Sequence, residues 1–181
     1  MSVYCGTAIQ PSGIKNILYG NFITSKQQNL ILVRSNRLDL CEFNNDVKNI
    51  KIIQEVSAKG KIIGSVKVKI NPSDEKDCVA FLTTKLQLVI YSFNENGTAE
   101  IRVMGMIDKG IGNDSTTGVL MVALKRNAII VHCKSSSIEY ITWERSADTK
   151  KMIFVTKQYR RYAFIAGIAP LDNDGMFLGR A

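Results

Sequence analysis

A hairpin pattern that recurs every 50 residues is the feature of this sequence that most restricts its fold. Each copy has a short apolar strand, a polar turn, and a second strand that alternates apolar and polar residues and ends on an aromatic residue. The three aromatic residues are Phe43, Phe93 and Trp143. A hairpin repeat of this period is typical of β-propeller blades, so we expect these three side chains to occupy equivalent positions in successive units.

Further strand patterns before and after each hairpin complete the units to four strands. They predict blades at about 14–57, 60–108 and 117–158, and a partial blade at 161–181. Residues 1–13 are predicted to be an N-terminal strand and linker. The predicted fold class is all-β: a partial β-propeller of about three four-stranded antiparallel blades plus the start of a fourth, with strands running from inside to outside in sequence order.

The expected propeller is incomplete, because the next aromatic of the series would fall beyond Ala181. Propellers close into rings of about four to eight blades, so residues 14–181 are expected to be part of the first propeller of a larger protein. Its two end faces would lack a neighbour, and we expect association or aggregation on size-exclusion chromatography. The residues expected on these two faces are Ile14, Ile17 and Phe22 on one, and Phe164, Ile165 and Ile168 on the other.

No pattern of catalytic or metal-binding residues stands out. His132 is the one histidine, and the four cysteines are far apart without a CxxC pair. The glycines from Gly105 to Gly112 have the spacing of a phosphate loop but lack its lysine and its Ser/Thr. We therefore predict a non-enzymatic protein without cofactor or metal, in which His132 is a partly buried strand residue. No apolar run is long enough to suggest a membrane partner.

The net charge of +8 raises the question of an acidic partner such as nucleic acid. Most basic residues, however, stand singly at strand ends or alternate with apolar residues, as Lys67 and Lys69 do, which is typical of a solvated strand face. The favoured interpretation is a solvated basic surface. A nucleic-acid-binding propeller remains the alternative hypothesis.

Short segments spread along most of the chain resemble the family of the large subunit of the damaged-DNA-binding complex, the adaptor of cullin-4 ubiquitin ligases. Their order and spacing carry the resemblance, and the loop from Ile111 to Gly118 favours this family over two related ones, in mRNA 3′ processing and in splicing. The segments are Thr7-Ala8 with Pro11, Gly20-Asn21-Phe22, Asn29-Leu30, Arg37-Leu38, Gly60-Lys61-Ile62, Lys76-Asp77, Leu82-Thr83-Thr84-Lys85, Ile111-Gly112, Ser115 and Thr117-Gly118.

This resemblance implies a scaffold that binds substrate receptors of a cullin-type ligase and the rest of its own propeller array, in the nucleus and cytoplasm, with nucleic acid contacted only indirectly. The loop that follows the second predicted blade is rich in Gly, Asn and Asp, and exposed loops on rigid scaffolds are common binding sites. We therefore predict protein-binding residues in this loop: Lys109, Ile111, Asn113, Asp114 and Ser115.

Overall fold

The computed structural model describes residues 13–44, 49–107, 120–124, 127–134, 137–149, 151–160, 165–170 and 176–180. These residues form β-strands joined by turns, and they include no helix. A helix able to cross a membrane is accordingly not found in this part of the chain.

Twelve strands form three four-stranded antiparallel sheets, which we call blades 1, 2 and 3. The predicted fold class is confirmed. Blade 1 contains β1 (Ile14–Thr24), β2 (Gln27–Arg34), β3 (Arg37–Asn44) and β4 (Asn49–Ser57); blade 2 contains β5 (Ile62–Val68), β6 (Cys78–Thr83), β7 (Gln87–Phe93) and β8 (Ala99–Met106); blade 3 contains β9 (Leu120–Leu124), β10 (Ala128–Lys134), β11 (Ser137–Arg145) and β12 (Met152–Arg160).

Strands pair with their sequence neighbours in every blade, so each blade is an antiparallel meander. The first strands lie side by side from blade to blade, β1 with β5 and β5 with β9, and the fourth strands β8 and β12 also contact each other. The order from inside to outside therefore follows the sequence, as predicted. Two further strands, β13 (Ile165–Pro170) and β14 (Met176–Arg180), form an antiparallel pair, and β13 lies beside β9.

Two apolar layers hold the blades together. One layer, between blades 1 and 2, includes Leu40, Val79 and Phe81, and the other, between blades 2 and 3, includes Leu82 and Ile129. Strand β6 is buried at all of its positions because alternate side chains enter the two layers. Its unbroken apolar sequence is thus a consequence of having a blade on each side.

The repeated aromatic residues lie on the third strand of each blade and mark the side that faces the preceding blade. Phe93 enters the layer with blade 1, where its ring meets Phe22 edge to face at 6.4 Å, and Trp143 enters the layer with blade 2. Phe43 has the same strand position, but its side chain is 46% exposed. Leu38 and Leu40 of the same strand point to blade 2, so Phe43, at odd spacing from both, points away from it.

The prediction that Phe22 shares an exposed end face with Ile14 and Ile17 is wrong. Phe22 is fully buried between blades 1 and 2, whereas Ile14 and Ile17 are about half exposed. Phe22 has the same strand parity as Leu18, which points to blade 2, and Ile17 has the opposite parity. Phe164 lies outside the described residues, and only the backbone is described for Ile165 and Ile168.

Polar contacts lock neighbouring blades in position. Between blades 1 and 2, the Asn21 amide donates to Asp77 Oδ2 (2.9 Å) and the Asp77 amide donates back to the Asn21 carbonyl (2.8 Å). Gly20 permits this approach, because a Cβ there would lie 2.5 Å from Asp77 Oδ2. Between blades 2 and 3, the Ile70 carbonyl accepts hydrogen bonds from Trp143 Nε1 (2.8 Å) and Asn127 Nδ2 (2.7 Å).

We expect Trp143→Phe to lower the free energy of unfolding by about 1–2 kcal/mol, because the ring stays apolar but one donor to the Ile70 carbonyl is lost. Asn127→Gly removes the other donor and keeps a residue that tolerates the positive φ of 53°. The double variant should lose more than the sum of the single losses, because only then is the carbonyl left without a donor. Urea unfolding of the four proteins measures this coupling. Additive losses would show that the two bonds are independent.

Candidate interaction surface

One end of the blades carries the β2–β3 and β6–β7 turns together with the connection from blade 1 to blade 2; we call it the turn end. Backbone hydrogen bonds fix these segments to one another. The Ile62 amide donates to the Ser35 carbonyl (2.7 Å), the Ala58 amide to the Asn36 carbonyl (2.8 Å), and the Thr84 amide to the Lys61 carbonyl (2.8 Å). Exposed segments held in this way by rigid strands are suited to binding.

The predicted binding residues Lys109, Ile111, Asn113, Asp114 and Ser115 lie outside the described residues. The strand ends that flank their loop are described, and both are at the turn end. The Ile107 amide, just after β8, donates to the Leu86 carbonyl (2.9 Å), and Leu120 of β9 pairs with His132 near the end of β10. The assignment of the loop as a binding site stays a prediction.

Four exposed lysines also stand at the turn end, and the sequence analysis did not single them out. We call Lys15, Lys59, Lys61 and Lys85 the lysine cluster. Lys15 Nζ donates to the Ile62 carbonyl (2.9 Å), which brings the start of β1 against the start of β5. The pKa of Lys15 is lowered, first by partial burial and then by the positive charge of Lys61. The positive charges of Lys15 and Lys61 are therefore close to each other at the turn end.

A cavity of about 270 Å³ opens beside Lys15, between the inner strands β1 and β5. Its polar wall includes Lys15, Asn16 and Ser65, where Asn16 Nδ2 donates to Ser65 Oγ (3.0 Å). Its apolar wall includes Val33 and Met121. The cavity thus combines hydrogen-bonding groups and one ammonium group with room for an aliphatic chain.

Blade 1 has one face that no blade of the described chain covers, and we call it the open face. Five large apolar side chains on it are 41–56% exposed. They lie on the same side of the sheet because β1, β3 and β4 present alternate residues there in the observed register. These residues are Ile17, Tyr19, Phe43, Ile50 and Ile52.

A buried ion-pair group lies on the open face near the turn end. The Asp39 carboxylate is fully buried between the guanidinium groups of Arg34 and Arg37, with Arg37 Nε 2.9 Å from Asp39 Oδ1. Arg37 Nη1 also contacts the half-exposed carboxylate of Glu55 at 3.2 Å. Two cations next to one buried carboxylate offset the cost of removing it from water.

The histidine and cysteine side chains that the structure describes are all buried. The described residues contain no group of three or more His, Cys, Asp or Glu side chains that could bind a metal. His132 lies in strand β10, as predicted, but its side chain is buried and not partly buried. Burial raises the pKa of the Cys41 and Cys78 thiols to about 11, so both are protonated near neutral pH and are poor nucleophiles.

Gly105, the first glycine of the segment with phosphate-loop spacing, has a packing role. It lies within strand β8, where a Cβ would be 2.8 Å from the Phe154 ring. The glycine therefore allows blades 2 and 3 to approach each other closely.

We expect Asp39→Asn to lower the free energy of unfolding by about 3 kcal/mol, because two partly buried guanidinium groups would lose their counter-charge. Glu55→Gln is the matched control, since it makes the same chemical change beside the same arginine at a 52% exposed side chain. Its cost should stay below about 0.5 kcal/mol. Urea unfolding measures both, and equal costs for the two variants would contradict the assignment of Asp39 as the centre of the group.

Comparison with known proteins identifies the family. The model of the RSE1/DDB1/CPSF1 first β-propeller matches residues 13–158. The chain is also similar to DNA damage-binding protein 1 of Caenorhabditis elegans, with 25% identity over 148 residues. That alignment covers 81% of this chain and 13% of the nematode protein, so the chain spans a small part of its relative's length. With three meander blades whose first strands lie side by side, and with a family match over residues 13–158, the chain belongs to the RSE1/DDB1/CPSF1 first β-propeller family.

Proposed function

We propose that this chain is part of a non-enzymatic propeller scaffold that binds other proteins, in the manner of a cullin-4 ubiquitin ligase adaptor linked to DNA repair. The single observation that carries the proposal is the open face of blade 1, with its five exposed apolar side chains. Several large apolar side chains exposed on one face of a sheet typically mark contact with another protein. The similarity to DNA damage-binding protein 1 supports the adaptor role over its alternatives.

The first proposed partner is the rest of the same propeller array, bound at the open face. Phe43 occupies on blade 1 the position from which Phe93 and Trp143 contact the preceding blade. A further blade with an apolar face would therefore give Phe43 the burial that its two counterparts have.

The second proposed partner is a substrate receptor of a cullin-type ligase, bound at the turn end. The described residues on either side of residues 108–119 lie at this end, Ile107 beside Leu86 of the β6–β7 turn and Leu120 beside His132 of β10. Lys109, Ile111, Asn113, Asp114 and Ser115 are the residues that we propose for this contact. The nucleus and cytoplasm are the compartments in which we propose that such an adaptor acts.

A second candidate function is a nucleic-acid-binding propeller of an mRNA 3′-processing or splicing complex. The lysine cluster and the net charge of +8 favour it. Titration of duplex DNA or single-stranded RNA binding against salt separates the two functions. A nucleic-acid-binding propeller should bind tightly at low salt and lose affinity steeply as salt rises, because it contacts several phosphates. The adaptor proposal expects weak binding without sequence preference.

Replacing Ile111 and Asn113 together by alanine should reduce capture of a purified cullin-4 substrate receptor by about fivefold or more, because the proposal assigns these residues to binding and not to folding. The melting temperature should stay unchanged. Glu95→Ala with Asn96→Ala is the matched control, since these residues are exposed in the β7–β8 turn at the opposite end. Receptor capture that is unaffected by the loop variant, or lowered equally by the control, would remove the loop from the interface.

A further inference from the structure

We propose that the lysine cluster and the adjoining cavity form a binding site for an acidic segment of a protein partner, whose carboxylate or phosphate groups pair with Lys15 and Lys61. The inference rests on the proposed protein-binding function and specifies the chemistry of one partner. It concerns described residues only and does not depend on the loop of residues 108–119.

The lysines belong to three separate segments that the fold brings to one place. Lys15 begins β1, Lys59 and Lys61 lie in the connection from blade 1 to blade 2, and Lys85 is in the β6–β7 turn. The hydrogen bonds from Lys15 Nζ to the Ile62 carbonyl and from the Thr84 amide to the Lys61 carbonyl hold these segments together. Hydrogen bonds thus hold together the backbone segments that carry the four lysines, before any ligand binds.

The charge of the cluster is not neutralised within the described chain, where none of the four lysines forms an ion pair. Asp39 and Glu55, two acidic residues of blade 1, contact Arg34 and Arg37. At the opposite end the pattern differs, because Lys67 Nζ lies 3.5 Å from Asp77 Oδ2. An anionic ligand at the turn end would supply the missing counter-charge and offset the repulsion from Lys61, which adds to the effect of burial in lowering the pKa of Lys15.

The shape of the cavity favours a peptide over a nucleic acid. A glutamate side chain has an aliphatic part suited to the apolar wall of Val33 and Met121 and a carboxylate suited to Lys15 and Ser65. Single-stranded nucleic acid usually requires exposed aromatic side chains for base stacking. The exposed aromatic residues of the described chain, Tyr19 and Phe43, lie on the open face of blade 1, away from the cluster.

The test uses fluorescence anisotropy of the full 181-residue chain with fluorescein-labelled hexaglutamate as the probe and hexaglutamine as the uncharged control. Lys15→Gln with Lys61→Gln should weaken hexaglutamate binding by about tenfold, because two charge-assisted contacts are lost while polar side chains of similar length remain. Lys26→Gln with Lys51→Gln removes the same charge from exposed positions at the opposite end and should change affinity by less than about twofold. Circular dichroism melting curves verify that both variants fold.

The outcomes separate the possible ligands. Tighter binding of a phosphoserine hexapeptide than of hexaglutamate, with the same loss in the Lys15/Lys61 variant, would support the site and identify phosphate as its preferred group. Equal weakening by both lysine pairs would overturn the inference, because net charge alone would then explain binding. Tighter binding of a 20-base-pair duplex than of either peptide would also overturn it. Receptor capture that persists while hexaglutamate fails to bind would leave the proposed function intact and reject this inference alone.

Discussion

The apolar contact between the faces of neighbouring blades is the constraint on which the rest of the structure depends. A four-stranded meander has two faces and cannot bury both by itself, so each sheet needs a neighbour on either side. Blade 2 has both neighbours, and strand β6 is accordingly buried at every position, with Val79 and Phe81 on one side and Ala80 and Leu82 on the other. The open face of blade 1 has no neighbouring blade in the described chain, and its apolar residues remain accessible to solvent.

The 50-residue repeat predicted the fold well because aromatic residues of the repeat take part in the apolar contact between neighbouring blades. Phe93 and Trp143 recur at one strand position since each must fill the gap to the preceding blade. Strand number, strand order and the antiparallel pairing all followed from hairpin patterns that are local in sequence. The error at Phe22 arose because Ile17 and Phe22 were assigned to one face although their odd spacing along β1 places them on opposite faces.

The candidate surface was much harder to predict, because its members are distant in sequence. Lys15 and Lys61 are ordinary single lysines at strand ends, and the alternation around Lys67 and Lys69 suggested a solvated strand face. Only the stacking of β1 beside β5 brings the ammonium group of Lys15 to the start of the next blade. One sequence signal could have indicated the lysine cluster: its members stand at the start of an inner strand, just before one, or in a turn, and all these places are at the same end of the predicted meanders. Asp39 was missed for a similar reason, since an isolated acid within a strand gives no indication of its two arginine partners.

The reciprocal hydrogen bonds between Asn21 and Asp77 determine how blades 1 and 2 can move relative to each other. Both bonds use backbone groups at one point near the inner strand, and the Asp77 carboxylate lies directly over Gly20. Sliding one blade along the other would break both bonds and press the carboxylate against the β1 backbone, so shear is costly. Rotation about this point keeps both bonds and separates the outer strands. Breathing of the array would therefore be a hinge motion, with the pivot at the inner strands and the largest amplitude at the rim.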